Sequence, residues 1–221
     1  MDLPLVVAAY LLGSVSFPWL IAWWHGVDLR EAGSRKLGGS NLAHVLAARW
    51  GLAGGALDLA KGSVAVLLAA AFGLPVEMRA FCALAVVAGQ MWPIFHGLDG
   101  GRANATAWGT IVVLDPVAAI PCAILMLAAA GARFALRPHP SRLVPLAAIL
   151  SFVVWPVAVH VTAGPRSLVV GGGLIFALIL VRRVTAGLTD DVATGAPLPR
   201  ILFDRALFDR SQLQERGVVP I

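Results

Sequence analysis

The run from Ala103 to Phe134 reads Ala-Asn-Ala-Thr-Ala-Trp-Gly-Thr-Ile-Val-Val-Leu-Asp115-Pro116-Val-Ala-Ala-Ile-Pro-Cys-Ala-Ile-Leu-Met-Leu-Ala-Ala-Ala-Gly-Ala-Arg-Phe. Its reading decides how often this chain crosses a membrane. Read as one long helix, it gives a six-span protein. Read as two, it gives seven spans, with a fourth helix over 103–115 that rises only about 20 Å against the ~30 Å hydrocarbon core. Asp115-Pro116 favours two helices, because proline disfavours helical geometry at the residue before it.

Around this stretch the chain is apolar throughout. Of its 221 residues 59% are hydrophobic and 13% charged, about half the charged share of a soluble domain, which is roughly 25%. A soluble core cannot absorb that much apolar surface, so the composition predicts an integral membrane protein. Further apolar runs occupy residues 3–24, 55–74, 80–96, 143–163 and 167–181. No basic residue precedes the first run and no small-residue cleavage site follows it, so it reads as a retained helix rather than a cleaved leader. Asp2 and the lack of cations ahead of it place the N-terminus outside.

Charge then arbitrates the span count. With seven spans, the inside loops hold Arg30, Arg35, Lys36, Arg49, Arg102, Arg133, Arg137, Arg142, Arg182 and Arg183, and the tail adds Arg200, Arg205, Arg210 and Arg216. Only Arg79 and Arg166 face outside. With six spans, Arg133, Arg137, Arg142 and the tail arginines would face outside. The positive-inside rule selects seven. The expected fold is therefore an all-α integral membrane protein of seven transmembrane helices. The fourth is short, the N-terminus is outside and the C-terminus is cytoplasmic. Residues 1–183 form the membrane domain and residues 184–221 a cytoplasmic tail. Within the tail, Ile201-Leu-Phe203 and Leu207-Phe208 between arginines suit either a short interfacial helix or a loose segment.

Two glycine-rich basic loops interrupt the apolar pattern, and both fall on the cytoplasmic face. The first is Gly33-Ser-Arg-Lys-Leu-Gly-Gly-Ser-Asn41 and the second Gly100-Gly-Arg-Ala-Asn-Ala-Thr106. Glycines bare the backbone N–H groups, Ser34, Asn41 and Thr106 add neutral donors, and Arg35, Lys36 and Arg102 add charge. A phosphate oxygen seeks these groups. Ser40 or Asn41 is expected to cap a following helix, with His44 one turn on. Gly33, Arg35, Lys36, Gly38, His44, Gly100, Gly101 and Thr106 are the candidate phosphate-binding positions. The alternatives for each loop alone are a flexible connector and a positive-inside anchor.

Other chemistries find less footing. The net charge of +5 lacks the basic helix or aromatic–basic face of a nucleic-acid binder. The histidines His25, His44, His96, His139 and His160 show no ligand spacing, so no metal and no cofactor is expected. Cys82 and Cys122 sit in apolar runs and read as packed thiols. Trp19, Trp23, Trp24, Trp92, Trp108 and Trp155 suit interface belts. Asp58 and Lys61, near the expected start of the second helix, are three apart and share a helix face, which suits either a structural ion pair or a substrate-facing role.

The order of the motifs resembles the bacterial PlsY-type acyl-phosphate:glycerol-3-phosphate acyltransferases. The resemblance runs through Tyr10-Leu-Leu-Gly-Ser-Val-Ser-Phe-Pro18, Gly26-Val-Asp-Leu-Arg-Glu-Ala-Gly-Ser34 and Leu57-Asp-Leu-Ala-Lys-Gly62. It continues through Gly89-Gln-Met-Trp-Pro-Ile-Phe95, the 100–106 loop and Ser141-Arg-Leu-Val-Pro-Leu-Ala-Ala-Ile149. It implies a multi-pass protein of the bacterial inner membrane that acts in phospholipid biosynthesis. The reaction would be acyl transfer from an acyl phosphate to the 1-hydroxyl of glycerol 3-phosphate, giving lysophosphatidic acid. Ser34, Asn41, Gly100, Gly101 and Thr106 match family positions. Ser34, Asn41 and Arg102, which replaces a lysine, are the implied catalytic residues. In that family the acceptor's own phosphate has been proposed to take the hydroxyl proton. Several positions depart from the pattern. Arg35-Lys36 replaces Gly-Asn, Gly39-Ser40 replaces Ala-Thr, and His44 replaces an arginine. Gln90 replaces a histidine and Ala103 a glycine. The family's His-x-x-Asn-Ile motif is not recognisable. An acyltransferase and a non-catalytic or altered-substrate relative that binds phospholipid or acyl phosphate both fit these residues. A small transporter fits less well, because Asp58 and Lys61 are the only mid-membrane charges.

Overall fold

The computed structural model describes residues 2–135 and 142–209, all of whose regular structure is helical. Arg137, His139, Ser141, Arg210 and Arg216 lie outside the described residues. The helices are α1 (Asp2–Ser14), α2 (Phe17–Trp24), α3 (Gly39–Val45), α4 (Ala48–Ala71), α5 (Val76–Met91) and α6 (Asn104–Leu114). They continue with α7 (Pro116–Ala135), α8 (Leu143–Val161), α9 (Arg166–Thr185), α10 (Leu188–Val192) and α11 (Leu198–Phe208). Five stretches are long and apolar enough to cross a membrane: Asp2–Trp24, Ala48–Ala71, Val76–His96, Leu143–Val161 and Arg166–Thr185. Asn104–Leu114 and Pro116–Ala132 are shorter apolar helices. The long run divides at Asp115, whose backbone is extended, as Pro116 requires.

The chain forms two compact units that divide at the same place, residues 2–115 and residues 116–209. In the first unit α1 packs on α5 and α4 packs on α6. Both contacts are made backbone to backbone through glycine. A Cβ on Gly13 would lie 2.2 Å from the Val86 carbonyl oxygen, and one on Gly89 2.2 Å from that of Tyr10. Gly62 meets the Thr106 carbonyl and Gly109 that of Leu59 in the same reciprocal way, at 2.0 and 1.9 Å. Lipid-facing helices gain no hydrophobic drive toward one another, so close backbone approach supplies the packing. Outward-facing residues such as Leu52, Leu67 and Phe81 remain exposed, as lipid contact demands.

Two expectations are corrected in this unit. Residues 3–24 do not form one helix, because the chain breaks at Val15-Ser16. Pro18 cannot donate to the carbonyl four residues back, and Ser16 instead starts α2 by accepting the Trp19 N–H at 3.2 Å. The second long helix begins at Ala48 rather than at residue 55, which puts Asp58 and Lys61 in its middle instead of near its start.

In the second unit α8 packs on both α7 and α9, and α11 lies on α8 and α9. Trp155, expected at an interface, is fully buried against Gly172. The tail carries a helix over the apolar positions 201–208. Two arginines hold it. Arg183, at the end of α9, donates to the Pro145, Ala206 and Leu207 carbonyls at 3.2–3.3 Å. Arg205, at the end of α11, donates to the Val184 carbonyl at 3.0 Å, to the Ala186 and Gly187 carbonyls and to the Asp191 carboxylate. Each helix therefore has its terminal carbonyls satisfied by a cation of the other. Cys82 and Cys122 are buried free thiols.

Gly62→Val and Gly109→Val each drive a side chain into the facing backbone, an overpacking cost of about 1–3 kcal/mol. Both should lower the thermal unfolding midpoint in detergent. Gly131→Val, where a Cβ meets nothing within 4 Å, should leave it unchanged.

Candidate functional site

The first glycine-rich loop is organised by one side chain. Asn41 is buried, and its Oδ1 accepts the Ser34 N–H at 2.8 Å. Its Nδ2 donates to the carbonyls of Leu29 at 3.3 Å, Ala32 at 3.1 Å and Lys36 at 3.0 Å. Asn41 and Ser40 do not cap α3 as expected. Gly38 occupies the cap position without a side-chain bond, and Asn41 sits inside the first turn. The amide of Asn41 is thus engaged within the loop, so the residue shapes the site by holding its backbone. Gly33 must be glycine, because its φ is +57° and a Cβ would lie 2.3 Å from the Asn41 Oδ1.

Arg35 lies between the two Asn41-bound residues Ser34 and Lys36, and its φ is +56°. That left-handed backbone costs a non-glycine residue roughly 1–2 kcal/mol. Arg35 is exposed, while Ser34 and Lys36 are partly buried. Just ahead of this loop Asp28 receives the Arg30 guanidinium at 2.5–3.0 Å, the Arg30 N–H at 2.9 Å and the Trp19 indole N–H at 3.1 Å. The Arg30 side-chain bonds, with its backbone N–H and Trp19, hold the Asp28 carboxyl well below the usual carboxylate range against the opposing effect of burial.

The second loop folds back onto the end of α5. The Gly101 N–H donates to the Gln90 carbonyl at 3.0 Å and the Gly100 N–H to the Met91 carbonyl at 3.1 Å. A Cβ on Gly100 would lie 2.3 Å from the Gln90 carbonyl oxygen. Ala103, the last residue before α6, has φ +55°. Arg102 is partly buried. Thr106 is fully buried on α6, with its hydroxyl lacking a hydrogen-bond partner among the described residues.

The two loops meet. Lys36 Nζ lies 3.7 Å from Asp99 Oδ1. A Cβ on Gly101 would sit 3.1 Å from both the Leu37 carbonyl oxygen and the Gln90 Nε2. Gly38 faces open space. His44 stays apart: it is exposed on α3, and no hydrogen bond or ion pair among the described residues joins it to either loop.

Beneath the junction lies a buried polar network. Lys61 Nζ donates to the carbonyls of Gly13 at 3.0 Å and Val15 at 2.6 Å, and to the Gln90 Oε1. It also pairs with Asp58 at 3.0 Å. The Asp58–Lys61 pairing was legible from their spacing. Their link to Gln90, 29 and 32 residues away, carried no local signal. Among the described residues no group of three His, Cys, Asp or Glu side chains converges as a metal site.

A family model described as glycerol-3-phosphate acyltransferase matches residues 3–187. A glycerol-3-phosphate acyltransferase of Chromobacterium violaceum is 37% identical over 186 residues, covering 80% of this chain and 85% of that one. Glycerol-3-phosphate acyltransferase 5 of Dehalococcoides mccartyi is 37% identical over 117 residues, covering 52% of this chain and 50% of that one. The chain thus spans only half the length of that relative. Among solved structures, PlsY (YgiH), an integral membrane glycerol 3-phosphate acyltransferase in its glycerol 3-phosphate form, superposes with a TM-score of 0.74 at 32% identity. The match covers 88% of this chain and 92% of that one.

The left-handed backbone at Ala103 is directly testable. Ala103→Gly removes the steric cost, which exceeds the roughly 0.5–1 kcal/mol entropy penalty of glycine. It should raise the unfolding midpoint in detergent. Ala107→Gly, in the ordinary helix just beyond, should lower it. A lower midpoint for Ala103→Gly would contradict the positive φ.

Proposed function

The chain belongs to the glycerol-3-phosphate acyltransferase family, and from that membership we propose that it transfers a fatty acyl group from an acyl phosphate to the 1-hydroxyl of glycerol 3-phosphate. The observation that carries this reading is the meeting of the two glycine-rich loops. Lys36 reaches Asp99 and Gly101 packs against Leu37, and in this reading Ser34, Arg35 and Lys36 supply one donor set and Gly100, Gly101 and Arg102 the other. Two phosphates, one from each substrate, call for two such donor sets.

The chemistry needs no protein nucleophile. An acyl phosphate carries a good leaving group, so the acceptor hydroxyl attacks the acyl carbon directly. The new ester C–O bond forms as the acyl C–O bond to phosphate breaks, and inorganic phosphate departs. The hydroxyl proton ends on a phosphate oxygen, and the product is lysophosphatidic acid. Catalysis then rests on holding the two substrates together and stabilising the carbonyl oxygen as charge develops on it. Ser34 and Arg102 are the donors proposed for that task. Arg35, Lys36, Gly38 and Thr106 bind phosphate or glycerol hydroxyls, and Gly33, Gly100 and Gly101 let the backbone approach. Asn41 is a positioning residue for the first loop. His44, exposed on α3 and bonded to neither loop among the described residues, is given no role in this reading.

The proposed topology has seven spans, with α6 as the short fourth, the N-terminus outside and the C-terminal tail in the cytoplasm of a bacterium, on its inner membrane. In this reading residues 1–183 are the membrane body and residues 184–221 the tail. An α6 of 11 residues rises only about 16 Å, which thins the barrier beside the second loop. The exposed Arg30, Arg35 and Arg49 support cytoplasmic placement of the first loop.

Purified protein given palmitoyl phosphate and labelled glycerol 3-phosphate should form labelled lysophosphatidic acid. Binding of palmitoyl phosphate without turnover would replace the enzyme with a lipid-phosphate binder. Loss of one stabilising donor at a developing oxyanion costs about 10²–10³ in rate. Ser34→Ala and Arg102→Ala should each lower kcat/KM by about that factor, and unchanged rates in both would remove these loops from the mechanism.

A further inference from the structure

Both N–H groups and the oxygen of the Gln90 side-chain amide are engaged, and its partners fix which way it points. Its Oε1 accepts from the Lys61 ammonium. Its Nε2 donates to Asp58 Oδ2 at 3.2 Å and to the Leu37 carbonyl at 3.2 Å. A flipped amide would set NH₂ against the ammonium and the carbonyl oxygen against a carboxylate, so the ion pair enforces one orientation. The main-chain carbonyl of the same residue accepts the Gly101 N–H at 3.0 Å. Gln90 therefore touches the first loop through its side chain and the second through its backbone.

We infer that Gln90 is a positioning residue, which sets the distance between the two glycine-rich loops and hence between the two phosphate sites. The inference rests on the acyltransferase reading and names a determinant of it outside both loops. Three observations support it. Gln90 is only 3% exposed, so water does not compete for these bonds. Leu37, whose carbonyl it holds, lies next to Lys36 and Gly38, both candidate phosphate contacts. Gly101 fits against the same two groups so closely that a Cβ there would crowd both at 3.1 Å. A shift of the amide must therefore move one loop relative to the other. A residue that only neutralised the Asp58–Lys61 pair would need no contact with Leu37.

Gln90→Asn and Gln90→Leu test this with three readouts. Asn keeps an amide near the ion pair but draws it back from Leu37 by one methylene, and Leu keeps the bulk and removes the amide. Both should raise the KM for glycerol 3-phosphate or palmitoyl phosphate about tenfold. Both should also speed hydrogen exchange in segments 33–41 and 99–104, with exchange in α8 and α9 unchanged. Gln90→His, which retains a ring N–H donor, should recover KM to within about threefold. If Gln90→Leu does not fold, Gln90→Asn carries the test. Folded variants with wild-type KM and wild-type loop exchange would overturn the inference and leave Gln90 a filler of the ion pair. If the wild-type protein shows no turnover, the acyltransferase reading fails instead, and the exchange measurement still decides whether Gln90 holds the loops.

Discussion

A buried ammonium in an apolar helix organises the first unit. Lys61 is 2% exposed and sits in the middle of α4, where an unpaired charge would cost several kcal/mol. It is tolerated because the first apolar segment breaks beside it. The break at Val15-Ser16 strands carbonyls that a continuous helix would have bonded, and in hydrocarbon such groups must find partners within the protein. Lys61 supplies them, reaching Gly13 and Val15, while Asp58 balances its charge. Neither feature is affordable alone, and together they cancel. From the same ammonium the network runs through Gln90 to Leu37, so the geometry of the first loop is tied to a defect in α1.

The loops hold non-glycine residues in a backbone conformation that glycine suits best. Arg35 and Ala103 both adopt positive φ, a conformation that suits glycine best. Strained backbone persists only where its surroundings over-determine it. At Arg35 they do. Asn41 binds the N–H of the residue before it and the carbonyl of the residue after it, and the Arg35 N–H itself donates to Ala32 at 3.1 Å. At Ala103 the neighbouring glycines are held to the end of α5 and the Ala107 N–H donates back at 2.8 Å. The absence of glycine at these two positions therefore does not prevent the turn, and at Arg35 the turn presents an exposed guanidinium.

The apolar pattern told most about what is local. The helical runs, the division at Asp115-Pro116 and the cationic loops all follow from residues within a few positions of one another. What it concealed depends on partners far along the chain. Ser16 and Pro18 account locally for the break at Val15, but the donor that satisfies the carbonyls it leaves, Lys61, lies 46 residues on. Asn41 has the composition of a helix cap, yet four main-chain groups behind it compete successfully for its amide. Trp155 reads as an interface residue by type, and only the bare Cα of Gly172 makes room to bury it. Within the candidate site the residue types were legible, while the link between the loops was not, because glutamine at position 90 has no local signature of its role.

Arg183 and Arg205 bear on how charge is counted in such a chain. Both enter the positive-inside sum as if solvated, yet both are buried and engaged with helix-end carbonyls. Their reciprocal arrangement still requires a particular depth. Terminal carbonyls of α9 need outside partners only where the helix stops, and a guanidinium can reach them only from a chain that turns back at that point. The apolar run Leu178-Ile-Leu-Val181 gives way to Arg182 and Arg183 in the last turn of α9, which ends at Thr185, so both buried cations sit at the end of the helix. Burial removes the solvation rationale for counting them and leaves a packing one: each is placed where a helix ends and its terminal carbonyls need donors.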